Sequence, residues 1–448
     1  MAIKRGLYWF YNDLRLHDNA LLAKAAREVT SLHCVFLPEL KTQFERRFLP
    51  VEINNDAKQH FAMQSVGELN QSLRQIGQVL HKLEADSLGE ASQQLSELIG
   101  RYDITDLFVA QTASWYAETV VEHLARQHPR LNVHREESHS LFSANTLPFG
   151  LSDLPDSFSK FRKLIEKQPI TLPGSTVTEL PPPINNRQGL PEAYGCFEQA
   201  LDFGEQGVRG GELAGLAHVR GYFETDAALS YKQTRNALDD WRSSTKFSLW
   251  LANGNVSPRT IVSQLHRFER RFGANESTYW IVFELLWREY FHWYARCHGA
   301  RLFAFSGIKH KSPLTSFYAQ RFRQWVNGTT PYPVVNACMR QLKQTGYMSN
   351  RGRQLVASCL VHELAIDWRH GANYFQHTLI DYDVASNWGN WQYLAGVGAD
   401  PRGHRKFDLQ KQTQLYDPDE VFIRKWEGDG ISMSVDAVDV VDWPLDNG

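Results

Sequence analysis

Residues 6–37 read GLYWFYNDLRLHDNALLAKAAREVTSLHCVFL. Gly6–Tyr11 is a short, almost wholly apolar run and reads as a strand. Residues 14–29 read as the helix that follows, and Leu32–Leu37 as a second strand. The alternation continues outward. A helical stretch lies near 57–75, a third strand within 77–84, a helix over 90–102 and a fourth strand over 106–110. A helix over 117–128 and a fifth strand over 131–136 complete the series. Strands separated by helices predict a parallel, five-stranded, Rossmann-like α/β sheet, here assigned to residues 1–135.

The chain has 448 residues, too many for one ordinary core, and implies at least two domains. Residues 136–211 read as a linker, with one short basic helix (SKFRKLIEK) and a triple proline at 181–183. Residues 212–430 carry helical patterns with few strand signals and are expected to form an all-helical domain. Residues 431–448 read as an acidic tail.

Composition narrows the function classes. The chain is 42% hydrophobic and 22% charged, which excludes disordered and fibrous classes. No apolar run is long enough to span a bilayer, and the N-terminus lacks a signal-peptide pattern, so a cytoplasmic protein without a membrane partner is expected. The five cysteines lie far apart with no CxxC, and no metal-ligand spacing appears, so no metal is assigned. A net charge of −2 makes no global case for nucleic acid and leaves room for a local basic patch. Aromatic residues make up 12% of the chain, with most of the 13 tryptophans from residue 241 onward. GxGxxG, GxxxxGK[ST], HExxH and GxSxG are all missing, which removes the usual dinucleotide, ATP and hydrolase readings.

Four segments of the helical region could carry chemistry. Glu284, Trp287 and Arg288 share one helix face (i, i+3, i+4), placing a carboxylate, a flat ring and a guanidinium together. Asn350, Arg353 and Gln354 repeat that spacing. Taken alone, the first reads more readily as an amphipathic helix with an ion pair beside a core tryptophan, and the second as a solvated polar face. In Asp381–Tyr393, Asp383, Asn387 and Trp391 form a stripe, and Gly389 would weaken the helix unless something approaches it closely. So many polar and aromatic residues favour a binding site there over core packing. The segments around Tyr231 and over Arg242–Ser248 combine hydroxyls with Lys246. They could cradle a diphosphate or merely cap the next helix.

These segments, in this order, resemble the photolyase/cryptochrome flavoprotein family, and its cryptochrome-DASH branch in particular. Asp13-Leu14-Arg15-Leu16-His17-Asp18-Asn19 resembles that family's opening signature, and the likeness extends to about residue 427. The resemblance implies FAD in a bent form. Tyr231, Ser244, Thr245, Lys246 and Ser248 would line its phosphate and ribityl side. Glu284 and Arg288 would border the cavity, with Asn350, Arg353, Asp381 and Asp383 toward the isoalloxazine and Asn387 near its N5. Arg353 paired with Asp383 would supply an oriented cation. Trp287 and Tyr393 would pack against a flipped pyrimidine dimer, and Glu284, Asn350 and Gln354 would meet its polar edges.

The implied activity is that of a deoxyribodipyrimidine photo-lyase: blue-light-driven repair of cyclobutane pyrimidine dimers, preferentially in single-stranded DNA, by electron transfer from excited reduced flavin. RNA and duplex loops are further candidate partners, and a monomer is expected. The competing readings are a flavin photoreceptor that signals without repair and a flavin-free nucleic-acid-binding protein. Trp391 and Trp368 match the two inner members of the family's three-tryptophan electron relay. The outer position falls on Thr315, near Phe317 and Tyr318. Thr112 replaces the Glu of the Gln-Glu pair that holds the folate antenna, methenyltetrahydrofolate, so that second chromophore is left open. Leu249 stands where the DASH pattern has Pro.

Overall fold

The structure, a computed structural model, describes residues 3–40, 44, 56–184, 189–195, 200–202, 207–399 and 405–430. The acidic tail assigned to 431–448 lies outside the described residues.

The first part of the chain forms β1 (Arg5–Phe10), α1 (Ala20–Glu28), β2 (Ser31–Phe36), α2 (Asp56–Gln75) and β3 (Leu80–Lys82). It continues through α3 (Leu88–Arg101), β4 (Asp106–Val109), α4 (Trp115–Gln127) and β5 (Asn132–His134). All pairings are parallel, in the order β3-β2-β1-β4-β5, with Leu7 opposite both His33 and Leu107. The expected parallel α/β sheet is therefore present. Strand alternation divides β1 between two cores. Tyr8 and Phe10 pack with Leu21, Leu22 and Leu69, while Leu7 and Trp9 pack with Leu95, Ile99 and Val120. Burial on both faces is why the strand reads as continuously apolar.

The helix expected over 14–29 begins only at Ala20, where the Asn19 side chain accepts from Leu22 N. Residues 11–19 form a buried loop because their polar groups bond elsewhere. The Arg15 guanidinium donates to the carbonyls of His17, Asp18, Ser138 and Gly254. Asp18 receives the Arg259 guanidinium at 2.9 Å, and Glu212 accepts from Leu16 N and His17 N. These bonds tie the sheet to the helical region.

The connector carries α5 (Phe158–Ile165) and then runs beside the sheet, where Leu32 N donates to Pro182 O and Leu190 N to Leu80 O. It ends in a small antiparallel pair, β6 (Leu201–Asp202) and β7 (Gly207–Val208), that the sequence reading did not contain.

Helices follow: α6 (Glu212–Glu224), α7 (Tyr231–Thr234), α8 (Ser248–Ala252), α9 (Pro258–Phe272) and α10 (Glu276–His298). Next come α11 (Ala319–Asn327), α12 (Pro333–Thr345), α13 (Asn350–Ser358), α14 (Trp368–Thr378), α15 (Val384–Leu394), α16 (Leu409–Tyr416) and α17 (Val421–Lys425). A reciprocal capping box between Asn275 and Thr278 opens α10, the central helix. Its Leu285, Leu286, Tyr290 and Phe291 are buried, each contributing about 2 kcal/mol of apolar burial. Helix α15 crosses α10 at Gly389, where an added Cβ would lie 2.3 Å from Phe291 Cδ1. The close approach that the sequence required of this glycine is the Phe291 ring.

Candidate functional site: a charged, aromatic cavity in the helical region

A cavity of about 560 Å³ opens between α7, α8, α10, α13 and α15. Its wall contains Tyr231, Ser244, Thr245, Lys246, Ser248, Glu284, Trp287, Arg288, Asn350, Arg353, Gln354, Asp381, Asp383, Asn387, Trp391 and Tyr393. Every residue expected to bind cofactor or substrate is thus brought together. Of the two tryptophans expected to form the inner relay, Trp391 lies in the wall. Trp368 is fully buried behind it and donates Nε1–H to Phe305 O at 3.0 Å.

One end of the cavity is hydroxyl-rich and cationic. Lys246 sits in the left-handed region (φ 54°), and its Nζ donates to Ser244 Oγ at 2.7 Å and Asp240 O at 3.2 Å. Tyr347 lies under that ammonium at 5.4 Å. Burial pushes the Tyr231 phenol well above its usual range, so it stays neutral.

The other end holds paired charges. The Arg353 guanidinium donates from Nη2 to both oxygens of Asp381, at 2.9 and 2.8 Å, and from Nε to Met348 O. This corrects the expected pairing of Arg353 with Asp383. The Asp383 carboxylate takes His292 Nε2 at 2.9 Å and also caps α15 by accepting from Ser386 N at 2.7 Å. The geometry follows from the backbone: Asp383 is the N-cap of α15, which turns it toward α10, whereas Asp381 precedes the helix and faces α13. Burial opposes ionisation of Asp383, but His292, Arg288 and the Ser386 N–H outweigh it and hold the carboxyl well below the usual range. Asn387 donates Nδ2–H to Ala372 O at 2.9 Å, which fixes its amide and keeps an acceptor oxygen for a ligand.

The mouth is aromatic. Trp287 and Tyr393 meet edge to face at 5.8 Å, Trp287 stacks on Phe158 of α5 at 3.8 Å, and the Arg405 guanidinium lies 4.6 Å over Tyr393. Glu284 is ion-paired with Arg235. Burial raises the Glu284 carboxyl above its ordinary value, and Arg235 offsets only part of that. Arg288 donates to His139 O at 2.5 Å, and burial draws its guanidinium down.

Sequence reasoning left several participants out of the site. Arg235 lies four residues after Tyr231 and His292 four after Arg288, so helix spacing could have found both. Phe158 comes from the connector, and nothing local in the sequence pairs it with Trp287.

The Trp391 ring rests on Gly371 of α14, where an added Cβ would lie 2.2 Å from Trp391 Cη2. Its ring neighbours include Phe375 at 5.2 Å and Trp325 at 6.3 Å. The segment around Thr315 runs beside the start of α14, with Asp367 N donating to Ser316 O at 2.7 Å. The Thr315 hydroxyl is buried without a partner among the described residues. Phe317 stacks on His370 at 4.2 Å, and Tyr318 lies under the Arg321 guanidinium at 4.4 Å. At the position weighed for a folate, Glu118 of α4 supplies the local carboxylate. It accepts from Thr112 N at 3.0 Å and Gln111 Nε2 at 3.3 Å, and pairs with Arg135 at 2.5 Å.

Fold and cavity together define a two-part architecture, a parallel α/β sheet and a helical region that encloses a cofactor-sized cavity, and comparison with known proteins identifies its family. Residues 6–183 match the DNA photolyase family model, and residues 280–434 match the model of the FAD-binding domain of DNA photolyase. The chain belongs to the photolyase/cryptochrome family. Its likeness to a cryptochrome DASH of Vibrio parahaemolyticus is 51% identity, over 99% of this chain and 98% of the relative. A cryptochrome DASH of Synechocystis is 38% identical over 94% of this chain and 86% of that one. A Synechocystis cryptochrome crystal structure superposes with a TM-score of 0.84 at 37% identity, covering 95% and 89% of the two chains. A class III photolyase structure from Agrobacterium tumefaciens shares the fold, with a TM-score of 0.78 at 24% identity. Within the family, these relatives place the chain in the DASH branch.

Proposed function

We propose that this protein is a blue-light-driven, FAD-dependent photolyase that repairs cyclobutane pyrimidine dimers, preferentially in single-stranded DNA. The observation that carries the reading is one cavity with two chemically distinct ends beneath an aromatic mouth. The donor set fits FAD. Ser244, Thr245, Ser248 and Lys246 suit a diphosphate and polyol, and Arg353–Asp381, Asp383 and Asn387 suit a polar, redox-active ring. The cavity volume is in the range of sites for cofactor-sized ligands. Arg351, also in the wall, has an Nε without a partner among the described residues.

When bound and excited, the reduced flavin supplies the electron that opens a cyclobutane ring. The chain's residues do the rest. Arg353 and Arg288 would hold fixed positive charge beside the bound ring, without reorganisation at the moment of transfer. The Asn387 amide would meet the flavin edge without adding charge. Trp287 and Tyr393 offer an apolar slot for a flipped dimer, whose poor stacking makes extrusion cheap, and cheaper still from a single strand. Glu284, Asn350 and Gln354 present hydrogen-bonding edges to the bases, and Arg351 and Arg405 lie where a phosphate backbone would cross. No general acid or base is needed.

A second reading, light sensing by flavin without repair, is supported by the relatives' name of cryptochrome. The first test is direct. The purified protein is expected to show flavin absorption bands, with an added near-ultraviolet band if a folate is held. It is also expected to bind an ultraviolet-irradiated single-stranded oligonucleotide more tightly than an unirradiated one. A colourless protein, or one with no preference for irradiated DNA, overturns the reading.

A further inference from the structure

An oxidised flavin has to be reduced before it can act on a dimer, and the outer member of the usual relay is absent at Thr315. The rings behind the cavity supply another course. Trp391 rests on α14 at Gly371, one turn beyond Trp368. Trp368 in turn meets Trp388 of α15 edge to face, with centroids 5.7 Å apart. Trp368 and Trp388 are both fully buried. The Trp388 Nε1–H points at two oxygens, Gln376 Oε1 and the Tyr382 hydroxyl, each at 3.2 Å. Two acceptor dipoles on the indole N–H stabilise positive charge on that ring in a low-dielectric interior.

We propose that Trp388 takes the place of the missing outer tryptophan as terminal electron donor to the flavin pocket. This rests on the reading that the cavity holds FAD.

Among the described residues, the ring neighbours of Trp388 beyond Trp368 give the hole no easier place to go. Its neighbours Phe303, at 4.9 Å, and Phe44, at 6.4 Å, are harder to oxidise than an indole. Tyr382 is in reach but unsuited. Its hydroxyl donates to the Gln376 amide oxygen at 3.0 Å, which is not a base, and the Lys58 ammonium lies 4.5 Å over its ring. Burial also keeps that phenol protonated. Asp381 and Asp383 face the cavity while Tyr382, between them, faces Trp388, so one tripeptide serves both sides of the helix.

The electron count is simple. One electron passes from Trp391 to the light-excited oxidised flavin, one from Trp368 to Trp391, and one from Trp388 to Trp368. No bond forms and no proton moves in these steps. The hole on Trp388 is filled by a soluble thiol; two such events convert two thiols to one disulfide and release two protons. Because Trp388 is buried, that last step is slow and the radical is long-lived.

The test is blue illumination of the FAD-loaded protein with dithiothreitol, following loss of the oxidised-flavin band and the tryptophan radical by transient absorption. Trp388→Phe is expected to lower the photoreduction yield severalfold while the dark flavin spectrum stays unchanged. Trp325→Phe, which removes the other tryptophan beside Trp391, is expected to leave the yield near wild type. Fluorotryptophan at position 388 keeps the ring volume but is harder to oxidise, and is expected to reproduce the Trp388→Phe loss. Normal yield in both position-388 variants, or a loss confined to Trp325→Phe, overturns the proposal. Failure to bind flavin in the wild type would instead count against the cofactor reading.

Discussion

Two regions of this molecule bury charged side chains, and they do so to opposite ends. In the loop at residues 11–19, Arg15 is almost fully buried and donates to four carbonyls, and Asp18 is closed by Arg259 and Ser257. Asp13 accepts from Tyr8 and Tyr11. That network is complete within the chain. Around the cavity, Arg353–Asp381, His292–Asp383 and Arg235–Glu284 are also paired, but each pair includes a member of the wall of a large open space. The same residue types make a fastener in one place and a ligand site in the other. The difference is whether the protein's own backbone fills the remaining bonding directions.

Breaking the fastener should have the largest effect. Arg15→Ala leaves four interior carbonyls without their donor and removes the positive charge beside buried Asp13, and is expected to cost about 3–5 kcal/mol, read as a lower denaturation midpoint with or without flavin. Arg353→Ala probes the other kind of pair. It should weaken flavin binding by about 3 kcal/mol, so that added FAD raises the melting temperature of the wild type but hardly that of the variant. If Arg353→Ala destabilised the flavin-free protein as much as Arg15→Ala does, the distinction would collapse. Gly389→Ala pushes a methyl into the Phe291 ring and should cost about 1–3 kcal/mol by separating α15 from α10. Its melting temperature should fall with flavin bound or absent, because the clash lies in the packing of the wall.

The smallest effect concerns pH. Asp383 is held well below the usual carboxylate range, so its contribution is present above the unfolded value of about 4 and is lost only as pH falls through its still lower folded value. Glu284 is shifted the other way. Its ionised form is disfavoured by burial, so the folded protein takes up its proton above the ordinary value of about 4.3, and the penalty it imposes eases as pH falls through that raised value. Binding of irradiated oligonucleotide should therefore change at mildly acidic pH in the wild type. Glu284→Gln should flatten that change, and an unaltered profile would assign it to another group.

The sequence shows these regions unequally. The sheet was legible from its apolar runs alternating with helical patterns, and three of its five strands, β1, β2 and β4, appear within one residue of their expected limits. The start of α1 was not legible. Leu14 and Leu16 continue the helical spacing, and only the distant partners of Arg15 and Asp18 explain why the backbone stays irregular. At the cavity, helix spacing correctly grouped Glu284 with Arg288 and Asp383 with Asn387. Which acid meets Arg353 was not legible, because Asp381 and Asp383 differ only in which one caps α15. Phe158, which stacks on Trp287, lies 129 positions before it and carries no local mark.

The measurement closest to the central claim is loss of cyclobutane dimers from an irradiated single-stranded oligonucleotide, incubated with fully reduced, FAD-loaded protein under blue light and in the dark. Light-dependent loss, faster on the single strand than on the matching duplex and suppressed in Trp287→Ala, is the predicted result. No loss in the light, from a protein whose spectrum shows bound reduced flavin, would contradict the repair reading and leave light sensing in its place.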